Sequence, residues 1–302
     1  MKVAIITGSN GQDGSYLQEF LKNKGYTVKR FGREDDILNY SNVRACISNY
    51  DEVEIYNLAA QSQIGIQPKI TYELNTIGLL NILESVNELG LTHKCRIFQA
   101  SSSEIFGSTE EVPQNEHTTY KPITLYGVSK LSAHLIVKHY RETYGMFVCS
   151  GILFNHESPR RKDTYVTQKI IKGLKSGECF TLGNLEARRD WGHAKDYVEA
   201  MWFMLQQDKP DDYVVATGVT HSVKEFIDIA VHKMGKKIVW SGKGTHREGR
   251  IDGKVVVKVS EEFYRPNDPK ALVGNPKKLE SIGWSRKYTL PDIIEDMIYH
   301  TT

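Results

Sequence analysis

The chain has 302 residues, 40% of them hydrophobic, enough for one large α/β unit and a smaller lobe. Its 39 basic and 37 acidic side chains leave a net charge of +2, so bulk electrostatics favours neither nucleic acid nor a membrane as partner. The cysteines Cys46, Cys95, Cys149 and Cys179 are scattered, with no CxxC or Cys/His ligand spacing, which argues against a disulfide framework or a metal site and for reduced thiols in the cytoplasm.

The opening "MKVAIITGS" is apolar over too short a run for a signal peptide or a spanning helix. "KVAIITG" predicts a strand buried in a parallel sheet. "GSNGQDG" then places Gly8, Gly11 and Gly14 in a GxxGxxG spacing. "SYLQEFLKNKG" follows with Tyr16, Leu17, Phe20 and Leu21 at helical spacing and a stop at Gly25. A second strand, "TVKRFG", completes the unit. Such glycines let a backbone turn tightly against a pyrophosphate at the positive end of a helix. The glycine spacing alone also suits a plain strand–turn–helix; the following strand favours the dinucleotide reading.

The second strand ends with Arg30, Phe31, Gly32 and Arg33. An acidic residue there would hold ribose hydroxyls, whereas an arginine suits a 2′-phosphate, so NADP is favoured over NAD. A solvated basic turn is the alternative, and Asp35 and Asp36 follow at once.

"EVEIYNLAA" reads as a strand ending in small residues suited to close cofactor contact. "NTIGLLNILESVNELG" predicts an amphipathic helix with Ile77, Leu80, Leu83 and Val86 near one face. The strand "CRIFQASSSEIFG" runs into Ser101, Ser102, Ser103 and Glu104, where catalytic groups collect in such sheets. "LYGVSKLSAHLIVKHYRETYG" predicts a helix and "FVCSGILFN" a strand. This alternation predicts an α/β fold, a Rossmann-type doubly wound parallel sheet over residues 1–154. Residues 155–302 would form mainly a smaller α/β substrate lobe, with later segments free to return to the first. In it, "KVVVKVS" alternates Val255, Val257 and Val259 as a strand. Residues 242–250, "GKGTHREGR", read as a solvated loop, with a nucleotide clamp as the alternative. His193 and Asp196 read as a helix entry, and His117, His134 and His139 as surface positions.

Tyr126 and Lys130 lie four residues apart on one helical face. An ammonium beside a phenol lowers the phenol's pKa and makes it a usable base. A serine from the preceding strand can bind the same substrate oxygen, as alcohol oxidation by hydride transfer requires.

With these residues in view, the sequence resembles the extended short-chain dehydrogenase/reductase family and, within it, the GDP-mannose 4,6-dehydratases. The likeness rests on "TGSNGQDGSYLQEFL", "QASSSEIFG", "YGVSK", "NHESPRR", "GNLEARRDWGHAKDY" and "VATGVTHSV". It implies a lyase with bound NADP, acting on GDP-mannose through Ser102, Glu104, Tyr126 and Lys130. Glu104 would remove the C5 proton. The resemblance assigns Gly8, Gly11, Gln12, Asp13, Gly14, Arg33, Asp36, Leu58, Ala59, Ala60, His156 and Arg161 to the cofactor, beside Tyr126 and Lys130. It assigns Ser62, Asn155, Lys169, Arg189 and Arg265 to the sugar nucleotide. No metal is implied. Helices over 76–90 and 125–144 would pair two copies into a homodimer, with a tetramer as the alternative.

The chain departs from that pattern in three places. The segment between the second strand and "YNLAA" is short and keeps only Arg33 of an Arg-Arg pair. The loop before the "YRP" segment is also short, and Gln168 stands where the family commonly has arginine. Compact chains of this kind also resemble GDP-4-keto-6-deoxymannose reductases, which use NADPH to make GDP-rhamnose. That activity is the alternative to the dehydratase; a non-enzymatic nucleotide-binding scaffold is a third reading, disfavoured by the four catalytic-type residues.

Overall fold

The computed structural model describes residues 2–61, 67–264 and 271–301. The first half alternates strands and helices: β1 (Val3–Thr7), α1 (Gln12–Asn23), β2 (Thr27–Phe31), α2 (Tyr40–Ile47), β3 (Val53–Asn57), α3 (Pro68–Glu88), β4 (Cys95–Ser102), α4 (Leu125–Tyr144) and β5 (Phe147–Leu153). The chain continues through β6 (Asn155–Glu157), α5 (Val166–Ser176), β7 (Phe180–Leu182), β8 (Arg188–His193), α6 (Ala194–Leu205), β9 (Asp212–Val215), β10 (Thr220–Ser222) and α7 (Val223–Lys233). It ends with β11 (Ile238–Ser241), β12 (Glu248–Ile251), β13 (Lys254–Val259), β14 (Ala271–Leu272), α8 (Lys277–Ser281) and α9 (Leu290–His300).

Six strands form one parallel sheet in the order β2-β1-β3-β4-β5-β9. The doubly wound parallel sheet expected from the sequence is therefore present. Its central strands are β-branched and apolar, as burial on both faces demands. One face packs on α1 and α6 through Leu17, Leu21, Tyr197, Met201 and Met204. The other face carries α2, α3 and α4 through Val43, Leu79, Leu83, Ala133 and Val137. The last strand, β9, comes from beyond residue 200, so the edge of this sheet is built late in the chain.

A second core gathers Ile170, Trp191, Phe226, Val257 and Ile293 between α5, α7, α9 and a sheet ordered β11-β12-β13-β7. Of residues 242–250, expected as a loop, 242–247 lie outside the strands, but Glu248–Ile251 pairs antiparallel with both β11 and β13. A register shift at Gly249/Arg250 interrupts the simple alternation of β13, so adjacent Val256 and Val257 are both buried. The apolar face of α3 is also rotated from the expectation. Leu79, Ile82, Leu83 and Val86 face the sheet, while Ile77 is 41% exposed.

Candidate active site

The site gathers at the carboxyl ends of β1, β3, β4 and β5, where the first turn of a parallel α/β sheet leaves room for a ligand. A chain of buried polar groups ties those ends together. The Thr7 hydroxyl donates to Asn57 Oδ1 at 2.7 Å and accepts the backbone N–H groups of Leu58 and Ala59, each at 3.0 Å. Asn57 donates to Gln99 Oε1 at 2.7 Å.

The turn from β1 to α1 admits only small residues. Gly8 has φ +63°, and a Cβ there would lie 2.8 Å from the backbone of Leu58 and Ala59. A Cβ on Gly14 would come within 2.5 Å of the Gly8 carbonyl oxygen. Gly11 caps α1 without a side-chain hydrogen bond, so the first N–H groups of the helix keep their unmet donors. The buried Ser9 hydroxyl finds no partner among the described residues. A close-packed turn, an uncapped helix start and an unsatisfied hydroxyl together fit the pyrophosphate of a dinucleotide. Ala59, half-buried, and Ala60, exposed, border the same turn. Arg33 and Asp36 are exposed in the turn after β2, where the Arg33 carbonyl accepts the Asp36 N–H at 3.3 Å.

Ser102 ends β4, and its hydroxyl accepts the Glu104 backbone N–H at 3.3 Å in the single helical turn 103–105. Tyr126 lies in the first turn of α4, which Thr124 caps through the Gly127 N–H at 2.9 Å. A Cβ at Gly127 would sit 2.6 Å from the Glu104 carbonyl oxygen, so glycine here lets α4 close onto the 103–105 turn. That contact brings the Tyr126 phenol near Ser102 and Glu104, both of which influence its ionisation. Lys130 is buried on the same helical face and donates to the Ala100 carbonyl at 2.8 Å.

The electrostatics differ from the expectation for this pair. Burial pushes the Tyr126 phenol well above its ordinary value, and the neighbouring Tyr165 and Glu104 add to the rise against Ser102 and Arg161. Lys130 Nζ stands 5.8 Å from the tyrosine ring centroid, bonded to backbone, and burial lowers its own pKa to about 8. Desolvation is the largest influence on the phenol and favours its neutral form.

The segment after β5 folds back over the start of α1. His156 Nδ1 faces the Phe154 carbonyl at 2.8 Å, and Nε2 faces the Asp13 carboxylate at 2.9 Å. Burial raises Asp13, but His156 and Arg161 outweigh it and hold the carboxyl below its ordinary value. Gln12 donates to the His156 carbonyl at 3.1 Å and accepts the Ser158 hydroxyl at 2.7 Å. Arg161 pairs with Glu157 at 3.3 Å and covers the Tyr165 ring at 3.7 Å. The structure thus brings Gln12, Asp13, His156 and Arg161 into one cluster. Asn155 is half-buried on β6. Lys169 lies over the Phe263 ring at 4.3 Å on α5, and Arg189 on β8 donates to the Arg188 carbonyl at 2.8 Å. Ser62 and Arg265 lie outside the described residues.

Some supporting residues give no sequence signal. Asn75, buried inside α3, donates to the Ser129 hydroxyl at 2.8 Å and accepts the Gln61 N–H at 3.2 Å. Ser129 in turn donates to the Tyr126 carbonyl at 2.8 Å, which anchors the start of α4. Gln168 is buried and donates to the carbonyls of Pro159 and Arg161 at 2.8 and 3.0 Å, holding the segment that carries Arg161. His134, expected at the surface, is 1% exposed and bonds the Tyr120 hydroxyl at 3.1 Å. His193 caps α6 through the Lys195 N–H at 3.0 Å, the helix-entry role expected of it. Asp196 accepts the Lys287 and Tyr288 N–H groups, each at 3.1 Å.

Comparison with known proteins finds one family across nearly the whole chain. The family model described as GDP-mannose 4,6 dehydratase matches residues 33–297. The chain is 43% identical to GDP-mannose 4,6 dehydratase 2 of Caenorhabditis elegans, covering 98% of this chain and 88% of that protein. It is 41% identical to GDP-mannose 4,6 dehydratase of Homo sapiens, covering 98% and 90%. Both alignments run over 336 residues, more than the 302 of this chain, so those relatives carry insertions that it lacks. In fold it is similar to UDP-glucose 4-epimerase of Thermotoga maritima, with TM-score 0.85 at 20% identity over 99% of this chain and 98% of that one. It is also similar to dTDP-glucose 4,6-dehydratase of Bacillus anthracis in complex with NAD, with TM-score 0.83 at 20% identity over 99% and 96%.

Proposed function

The chain belongs to the GDP-mannose 4,6-dehydratase family, and we propose that it converts GDP-D-mannose to GDP-4-keto-6-deoxy-D-mannose by internal hydride transfer from C4 to C6. The observation that carries this reading is Glu104 in the turn directly after Ser102, packed against the first turn of α4 that bears Tyr126. Alcohol oxidation alone needs the hydroxyl pair. Loss of water needs a second base for the C5 proton.

Ser102 binds the C4 oxygen while Tyr126 takes its proton. A nicotinamide dinucleotide, when bound, would supply the hydride acceptor for C4 and the hydride donor for C6. The Lys130 ammonium, buried on the same helical face, favours the phenolate against the desolvation that opposes it. Once C4 is a ketone the C5 proton is acidic, and Glu104 removes it as the C6 hydroxyl leaves as water. Gly8, Gly11, Gln12, Asp13 and Gly14 would hold the dinucleotide with Leu58, Ala59, Ala60, His156, Arg161 and Asp36. Arg33 favours NADP over NAD through a 2′-phosphate. Ser62, Asn155, Lys169, Arg189 and Arg265 hold the sugar nucleotide, with the arginines suited to its diphosphate.

We place the protein in the cytoplasm as a homodimer. Cys95 and Cys149 are buried free thiols, which a reducing compartment preserves. Among the described residues no helix is long and apolar enough to cross a membrane. Ile70 and Ile77 on α3, with Val128 and Leu135 on α4, are each spaced by seven residues and exposed by 39–49%. A second copy would cover them.

The test is incubation with GDP-mannose and no added reductant. Formation of a 4-keto sugar supports the dehydratase. Turnover only of a keto sugar, and only with NADPH, would instead make it a reductase.

A further inference from the structure

We propose that Gln99 is a positioning residue for Lys130: it steadies the Ala100 carbonyl that anchors the ammonium on the face of α4 shared with Tyr126. The inference rests on the dehydratase reading above and adds to it a buried residue that acts through another.

The register of the parallel sheet places Thr7, Asn57 and Gln99 side by side on β1, β3 and β4. Paired positions on neighbouring strands point to one face of a sheet. Phe31, paired with Thr7, packs in the core that holds Ala133 and Val137 of α4, so this polar row faces α4. Its three side chains, like Lys130, are no more than 3% exposed.

The direction of hydrogen bonding along the row is fixed from one end. Thr7 Oγ1 accepts the Leu58 and Ala59 N–H groups, which occupies both of its lone pairs, so its hydroxyl donates to Asn57 Oδ1. Asn57 therefore turns its amide N–H to Gln99 Oε1, at 2.7 Å. Gln99 in turn points its own N–H to the Ala100 carbonyl, at 3.0 Å. Lys130 Nζ donates to the same oxygen at 2.8 Å, so the amide nitrogen and the ammonium lie within about 6 Å of each other on one carbonyl. A flip of the Gln99 amide would set donor against donor at Asn57 and acceptor against acceptor at Ala100. Buried groups left unpaired in that way cost more than the bonds they lose. The pairing of β3 with β4 ends at Asn57 and Gln99, so Ala100 lies one residue past it and side-chain donors hold its carbonyl.

A lysine ammonium rides on a flexible four-carbon stem, and a fixed acceptor selects one of its positions. Its pull on the phenol falls with distance. Gln99 thereby sets how strongly Lys130 favours the phenolate, although it stands on a different element.

The first test uses the resting protein with carbon-13 at the lysine ε-carbon. In the wild type the Lys130 ε-methylene protons should give separate shifts, the signature of a side chain held in one orientation, assigned by their loss in Lys130→Met. They should merge in Gln99→Met, which keeps the length of the side chain but removes the donor to Ala100. Asn57→Asp carries the same test should Gln99→Met not fold, because a carboxylate there draws the Gln99 N–H away from Ala100. Circular dichroism shows which variants fold. Merged shifts in the wild type, or separate ones in the folded variant, would overturn the proposal. The second test is single-turnover oxidation of GDP-mannose at C4. Gln99→Met should slow it by about tenfold in the wild type. In a Lys130→Met background it should cost no more than about twofold, since both residues act through one group. Equal slowing in both backgrounds would make Gln99 a support of the sheet alone and overturn the role. A wild type that leaves GDP-mannose unchanged would overturn the dehydratase reading instead, and the lysine shifts would still decide Gln99.

Discussion

Alanine at Gly11 and alanine at Gly14 should fail in different ways, and the difference tests where the pyrophosphate lies. A Cβ on Gly14 would sit 2.5 Å from the Gly8 carbonyl oxygen and 2.8 Å from Ser9 Cα. Ordinary contact begins at about 3.5 Å, so the start of α1 must retreat by about 1 Å. Both obstacles are backbone and cannot swing aside. Overpacking of this kind costs about 1–3 kcal/mol, roughly a 2–6 °C fall in Tm for a chain of this size. A Cβ on Gly11 meets only the Gly8 carbonyl oxygen, at 3.3 Å, and Gly11 has an ordinary φ of −74°. Replacing glycine by alanine at a helix cap costs about 1 kcal/mol or less. Its methyl, however, stands over the uncapped N–H groups that the diphosphate must reach. We expect Gly14→Ala to lower both Tm and NADP affinity. Gly11→Ala should hold Tm within about 2 °C and raise the NADP Kd by about tenfold, worth about 1.4 kcal/mol. Thermal unfolding and titration calorimetry read the two quantities separately. Wild-type NADP affinity in Gly11→Ala would refute the placement of the diphosphate over this turn.

Glu104→Gln should retain nucleotide binding yet abolish loss of water and solvent-hydrogen exchange at C5; normal dehydration by the folded variant would remove Glu104 from the reaction. Tyr126→Phe should slow single-turnover hydride transfer by about 10²-fold or more with GDP-mannose still bound, and a loss of tenfold or less would mean that another group takes the C4 proton. Ile77→Asp with Leu135→Asp should convert a dimer into monomer in light scattering across a dilution series; a wild-type monomer, or a variant that stays dimeric, would move the interface away from α3 and α4.

The parallel sheet was legible because each strand of the first half is a short β-branched run bounded by turn residues. The grouping of the candidate site residues was legible because their spacing is local. Tyr126 and Lys130 share one helical face, and Ser102 and Glu104 share one strand end. What long-range pairing decides was less accessible. Residues 248–251 carry turn-like glycine and charge, yet β11 and β13 on either side make them a strand. His134 has the look of a surface helix residue until the Tyr120 hydroxyl covers it. The Tyr126 phenol depends on its burial and on charge interactions with Tyr165, Glu104 and Arg161, none of which is its neighbour on α4. Spacing reveals a possible ammonium–phenol pair but not the dielectric around it.

The late arrival of β9 has a consequence for synthesis on the ribosome. Residues 1–154 contain the glycine turn and α4, yet the core beneath α1 draws on Tyr197, Met201, Met204 and Tyr213. The turn itself is latched by His156 and Ser158 from beyond that boundary. A nascent chain stopped at residue 154 would expose the apolar face of Leu17 and Leu21 to solvent. The cofactor lobe therefore cannot close until residues past 215 have left the exit tunnel. During that interval the open sheet edge at β5 and the bare face of α1 are the surfaces a chaperone would hold.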